Sequence, residues 1–221
     1  FPLRLRNGPP AGAGGCTIGV PGGHEFVEGH TPSEYTRGDL VPAIDLSTGV
    51  TLSYQDSGQG RPLILLHGLF GSSDNLGSVA KELAEPSVPN VEPFDVTLVD
   101  LREHGRSPHT EGTSYPIMAA DVHALVLTLG LKDIFMVGHS MGGKVAMVFA
   151  QQWPQLLQHL VVIDISPREH ENDHAHIIDA LISADIAPGR TRKDVETQLA
   201  GTIKEPGVVQ FLMKSLYWRT E

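Results

Sequence analysis

The sequence predicts an α/β protein: a mostly parallel sheet with helices on both of its faces. Three observations carry that prediction. Strand-like and helix-like segments alternate from about residue 50 to residue 165, the order that builds crossover connections. Two strand-like segments, P-L-I-L-L-H (Pro62 to His67) and L-V-V-I-D-I (Leu160 to Ile165), are apolar without alternation, as strands covered on both faces are. The helical segments between them stop at Pro86, Gly130 and Pro154, residues that end helices.

Residues 1 to about 37 are rich in Gly and Pro, as in P-P-A-G-A-G-G and G-V-P-G-G-H. They lack the periodicity a core requires and are expected to be mobile. V-T-L-S-Y-Q-D (Val50 to Asp56) alternates with period two, and a partner at Leu40 to Leu46 with a turn over Asp45 to Gly49 makes a hairpin. The apolar strand Pro62 to His67 is followed by a helix at about Asn75 to Ala84, the strand Phe94 to Asp100 and a polar loop, L-R-E-H-G-R-S-P-H. A helix at about Ile117 to Leu129 puts Val122, Leu125, Val126 and Leu129 on one stripe. The strand Ile134 to Val137, the small-residue helix Met141 to Gln152 and the buried strand Leu160 to Ile165 complete four parallel strands. About Asn172 to Glu221 reads as helical and charged, a lid segment and not the completion of a sheet. The expected organisation is a mobile segment over residues 1–37, a core over 38–171 and an incomplete helical lid over 172–221.

At 221 residues the chain suits one domain with a sizeable core. Its 16 basic and 26 acidic residues give a formal net charge of −10, which disfavours nucleic acid as a partner. The single cysteine, Cys16, allows neither an internal disulfide nor a thiolate metal site. No apolar run reaches the ~18 residues of a membrane span. The chain opens on Phe1, and F-P-L-R-L-R is basic and apolar. A targeting-peptide remnant, a chance basic terminus and a fragment of a longer reading frame all fit. It closes on F-L-M-K-S-L-Y-W-R-T-E, helical in pattern and uncapped, so the expectation is of a chain truncated within its lid.

Chemistry concentrates at G-H-S-M-G (Gly138 to Gly142), a G-x-S-x-G pattern between an apolar strand and a helix. A sharp strand-to-helix reversal crowds the backbone on both sides of the central residue, so glycine fits the flanks, and it lifts Ser140 Oγ clear of the sheet. It also leaves the N–H of Met141 at a helix start, where positive dipole accumulates. The alternative is a phosphate-cradling turn with Ser140 as a cap. No G-x-G-x-x-G or G-x-x-x-x-G-K-[ST] stands at a strand end to support it.

H-G-L-F-G (His67 to Gly71) offers the second backbone donor that acyl transfer needs, Leu69 N–H, with Phe70 the fallback; each such donor contributes ~3 kcal/mol in the transition state. Gly68 and Gly71 let this loop bend inward, and His67 is read as tying the turn, not as a base. In D-L-R-E-H-G-R-S-P-H (Asp100 to His109), Asp100, Arg102 and His104 are read as bracing loops, with substrate contact the alternative. H-E-N-D-H-A-H invites a metal, with His170 and His174 four apart and Asp173 and His176 nearby. It lacks H-E-x-x-H and is polar enough to be a solvated helix start, so neither metal nor cofactor is expected.

Together H-G-L-F-G-S-S-D-N, D-L-R-E-H-G-R-S-P-H, V-G-H-S-M-G-G-K and V-V-I-D-I-S-P resemble the α/β-hydrolase superfamily. More narrowly they resemble its small esterase subgroup, which includes mitochondrial abhydrolase domain-containing proteins, bacterial short-ester and acyl-CoA hydrolases, and yeast ethanol acetyltransferases. The resemblance runs from about Val50 to about Leu216. It implies the α/β-hydrolase fold, a Ser–acid–His triad with Ser140 as nucleophile, an oxyanion hole at Leu69 and Met141, and a mitochondrial location, with a cytoplasmic one the alternative. It also implies an acid and a histidine downstream of Glu221; Asp164, at the end of the strand that follows the nucleophile helix, is read as fixing its loop, with the triad acid as the alternative. The expected activity is hydrolysis of a small-molecule carboxylic ester or thioester through an acyl-enzyme, without a cofactor. Alcohol acyl transfer by the same serine and a non-catalytic binding role are the alternatives. The 221 residues by themselves are expected to be weakly active or inactive. Ile177, Ile178, Leu181 and Ile186 are candidates either for an acyl-pocket wall or for plain packing.

Overall fold

The computed structural model describes residues 42–110, 112–168, 174–187 and 189–216. Six strands make one sheet: β1 (Ala43–Asp45), β2 (Thr51–Gly58), β3 (Arg61–Leu66), β4 (Phe94–Val99), β5 (Ile134–His139) and β6 (Leu157–Ile163), in the order β1-β2-β4-β3-β5-β6. β3, β4, β5 and β6 are parallel. β1 and β2 form an antiparallel hairpin, and β2 runs antiparallel to β4. The hairpin closes through Leu46 N–H on Val50 O at 2.9 Å, with Gly49 left-handed at φ 80°. Its first strand is shorter than expected, with pairing confined to Ala43–Asp45; residues 40 and 41 lie outside the described residues.

Three helices, α1 (Gly77–Ala84), α2 (Tyr115–Thr128) and α3 (Met141–Gln152), cover the two faces. Alternation along the strands decides which face each residue serves. Ile64, Leu66, Val99, Ile134 and Met136 pack with Val122 and Leu125 of α2 and Val145 and Phe149 of α3. Leu63, Leu65, Val96 and Leu98 turn the other way, onto Ala80 and Ala84 of α1. α2 begins earlier than its apolar stripe indicates, because Ser114 accepts from Ile117 N–H and Pro116 stands in the first turn. Gly130, at φ 67°, ends it, and Leu131 N–H turns back onto Val126 O. α1 starts later than expected, since Ser73–Asn75 form a separate 3₁₀ turn.

One expectation is corrected. The strand after α3 starts at Leu157 and is not buried: Val161 is 48% and Ile163 46% exposed. β6 is the outermost strand and pairs only with β5 among the described residues. Val161 and Ile163 pair with Val137 and His139, on the face whose helix, α1, packs mainly toward β2 and β4 at the other side of the sheet. An apolar run looks the same in sequence whether its strand is enclosed or at an edge.

Beyond β6, α4 (Ala175–Ser183), α5 (Arg192–Thr202) and α6 (Pro206–Lys214) bury a second cluster, including Ala180, Val195, Leu199, Val209 and Leu212. Thr191 and Asp194 cap α5 reciprocally. The cluster takes in a buried residue from the loop after β3, Phe70. No helix among the described residues is long and apolar enough to cross a membrane.

Candidate active site

The chain passes from β5 into α3 through Ser140, whose backbone is left-handed at φ 50°, ψ −113°. That conformation costs on the order of 1–3 kcal/mol for a non-glycine residue and persists only where its surroundings enforce it. Here they do. Ser140 N–H donates to Ile163 O at 2.9 Å, still in the sheet, while Ser140 O already accepts from Lys144 N–H at 3.1 Å, in the helix. A Cβ on Gly142 would lie 2.5 Å from Leu66 O and 2.6 Å from His67 O, and one on Gly138 would lie 2.7 Å from Gly143 Cα. These are backbone atoms that cannot swing aside, so both positions require glycine.

The loop after β3 comes up against the serine. A Cβ on Gly68 would stand 3.4 Å from Ser140 Cβ. Gly71 N–H donates to Gly68 O at 3.0 Å, closing a β-turn whose third residue, Phe70, is left-handed at φ 62°. Glycine is the usual residue at such a position. Phenylalanine stands there because its ring is buried in the cluster formed by α4, α5 and α6, and Phe70 O accepts from Ser215 Oγ at 3.4 Å. The amides of Leu69, Phe70 and Met141 donate to no acceptor among the described residues, and Ser140 Oγ has no partner there. A hydroxyl with open amides on two adjoining segments can add to a carbonyl carbon while N–H groups hold the oxygen that becomes negative.

The histidines divide by their partners. His67 is buried, with Leu101 N–H donating to Nε2 at 3.1 Å and Nδ1 2.9 Å from Gly68 O. This pattern puts the proton on Nδ1 and occupies both nitrogens. Burial holds the His67 imidazole below its ordinary pKa. His104 lies 5.2 Å from it, ring to ring, with Nδ1 2.9 Å from Arg102 O. Its Nε2 is buried without a partner among the described residues. Burial pushes the His104 pKa down to about 3. His109 has a carboxylate partner that sequence spacing did not suggest, Glu103 at 3.0 Å. His139 Nε2 is 3.8 Å from Asp164 Oδ2. His174 sits 6.4 Å from the Phe70 ring, and His176 is in α4; His170 and Asp173 lie outside the described residues. No group of three or more His, Cys, Asp or Glu among the described residues could hold a metal ion.

The buried pair sets an expected pH dependence. Both folded pKa values lie below the unfolded value, so as pH falls through this window the unfolded chain binds more protons and stability drops. Each such histidine contributes a slope of about 1.4 kcal/mol per pH unit. His104→Asn keeps a donor for Arg102 O and is expected to flatten the fall of the urea midpoint between about pH 6.5 and pH 4.5. An unchanged slope would contradict it.

Asp100 gathers the next loop around its carboxylate: Oδ1 accepts from Ser73 N–H at 2.6 Å and Oδ2 from Arg106 N–H at 2.9 Å. Arg102 grips Asp121 of α2 through two hydrogen bonds of 2.5 and 2.6 Å, both side chains buried. Asp121 was missed in the sequence, although it interrupts the buried stripe of Met118, Val122 and Leu125. Asp164 follows β6 at φ 58°, its side chain 84% exposed, directly after Ile163, whose register partner His139 directly precedes Ser140. Ile177, Leu181 and Ile186 pack against the second cluster, and Ile178 is exposed.

A family model described as the alpha/beta hydrolase fold matches residues 61–201. The chain is 36% identical over 218 residues to a Danio rerio protein named sn-1-specific diacylglycerol lipase ABHD11, covering 95% of this chain and 66% of that one. It is 40% identical over 133 residues to a probable alcohol acetyltransferase of Saccharomyces cerevisiae, 58% of this chain and 36% of that one. Among solved structures, a marine microorganism esterase matches with a TM-score of 0.68 at 41% identity, over 74% of this chain and 62% of that one. The chain therefore spans less than two thirds of the length of each of these relatives.

Proposed function

The chain belongs to the α/β-hydrolase family, and on that footing we propose that Ser140 attacks the carbonyl of a small-molecule carboxylic ester or thioester. Kinship with esterase- and lipase-type relatives supports a hydrolytic or acyl-transfer role. The observation that carries the reading is the left-handed Ser140, its Oγ without a partner among the described residues, set against the loop that holds Leu69. Oγ bonds to the carbonyl carbon and gives its proton to an imidazole, and the oxyanion is held by the N–H groups of Leu69 and Met141. The leaving alcohol or thiol departs with that proton. Water then adds to the acyl-enzyme and releases the acid.

We assign the triad acid to Asp164. It directly follows Ile163, whose register partner His139 directly precedes Ser140, its carboxylate is exposed, and its backbone is left-handed as the serine's is. The base is assigned to a histidine outside these 221 residues, which span only part of the relatives' length. Within them, His67 has both nitrogens engaged, His104 is buried, His109 is held by Glu103, and His174 sits by Phe70 in the cluster of α4 to α6. The 221 residues alone are accordingly expected to turn over weakly. In the full-length protein, Asp164→Asn is expected to lower p-nitrophenyl butyrate hydrolysis by about 100-fold or more. Wild-type rates in that variant would move the acid elsewhere.

Acyl transfer to an alcohol is the second reading, favoured by the likeness to the yeast protein. Raising ethanol and measuring ester formed against acid released separates the two. The subgroup resemblance points to mitochondria, and a fluorescent fusion of the full-length protein found elsewhere would refute that.

A further inference from the structure

Resting on Asp164 as the acid, we propose that Lys144 is a positioning residue that locks the acid's loop to the nucleophile helix. Asp164 to Arg168 leave the edge strand with the acid's side chain exposed, so packing around that carboxylate does not fix it. Its left-handed backbone nevertheless needs surroundings that enforce it. Three contacts supply them. Lys144 Nζ donates to Arg168 O at 2.5 Å, four residues beyond Asp164. Ile165 packs into the space over Gly143, where a Cβ would meet Ile165 Cγ2 at 2.6 Å and Val162 Cγ1 at 3.1 Å. His139 Nε2 lies 3.8 Å from Asp164 Oδ2 at the near end.

Lys144 also donates its backbone N–H to Ser140 O, one helical turn before it. One residue thus ties the nucleophile's turn through its main chain and the acid's loop through its side chain. Without the ammonium the loop keeps its apolar anchor at Gly143 and loses the hydrogen bond that sets its distance from the serine. A shift of about 1 Å between catalytic groups lowers turnover by as much as ~100-fold, with little change in substrate binding.

The test is a double-mutant cycle in the full-length protein. Lys144→Met is expected to lower kcat by about 10- to 100-fold with KM within about twofold, and Lys144→Arg to recover most of the loss. In an Asp164→Asn background, Lys144→Met is expected to lower kcat by less than about twofold, because the group it positions is gone. Equal losses in both backgrounds, or full kcat in Lys144→Met, would overturn the proposal. If Lys144→Met does not fold, Lys144→Ala, which also removes the donor and suits a helix, carries the same comparison. Full activity in Asp164→Asn by itself would instead remove the acid assignment, so the two failures are distinguishable.

Discussion

Ser140→Ala is expected to lower ester turnover of the full-length protein by about 10⁴-fold or more while leaving it folded. The size follows from what one oxygen does. It forms the covalent bond to the acyl group, and without it only the oxyanion donors and substrate binding remain, which sustain a small residual rate. The fold tolerates the change because Ser140 Oγ bonds nothing among the described residues, while the amide and carbonyl of residue 140 keep their bonds to Ile163 O and Lys144 N–H. Alanine at φ 50° is strained much as serine is, so no large gain in stability is expected. A melting temperature close to wild type, together with the lost rate, is the signature of a removed nucleophile.

Arg102→Met is expected to destabilise the fold severely. Asp121 is wholly buried in the face of α2 that meets the core, and Arg102 grips both of its carboxylate oxygens. Removing the guanidinium leaves a buried charge without its partner, a change that costs about 3–5 kcal/mol. For a domain of this size that is a fall of roughly 6–20 °C in melting temperature. Arg102→Met with Asp121→Leu removes both charges and is expected to recover most of the loss. A single variant within about 1 kcal/mol of wild type by urea unfolding would contradict this reading of the pair.

The parallel core was legible because its signals are local. Leu63, Ile64, Leu65 and Leu66 run apolar without interruption up to His67, and β3 is buried there on both faces. G-H-S-M-G announced its own turn, since the same short stretch that needs glycine on both sides is the stretch that bends. What stayed hidden depends on residues far apart in the chain. Nothing near Val161 reveals that its strand is outermost among the described strands, and nothing near Phe70 reveals that helices from Ala175 onward receive its ring. The grip of Arg102 on Asp121 spans 19 residues, and its one local trace is an aspartate in an apolar stripe. That Asp164 and Ser140 each follow a member of the last β5–β6 pair, Ile163 and His139, became visible only with the sheet register.

Every catalytic step proposed for this protein begins at Ser140 Oγ, which sits on a strained turn and, like the nearby amides of Leu69 and Met141, has no partner among the described residues. Fluorophosphonate treatment of the full-length protein, with the adduct mapped by peptide mass spectrometry, asks whether that oxygen is the nucleophile. A single adduct on the peptide that contains Ser140, absent in Ser140→Ala, is the predicted result. Adduct on another residue, or a fully active protein that takes no label, would contradict it.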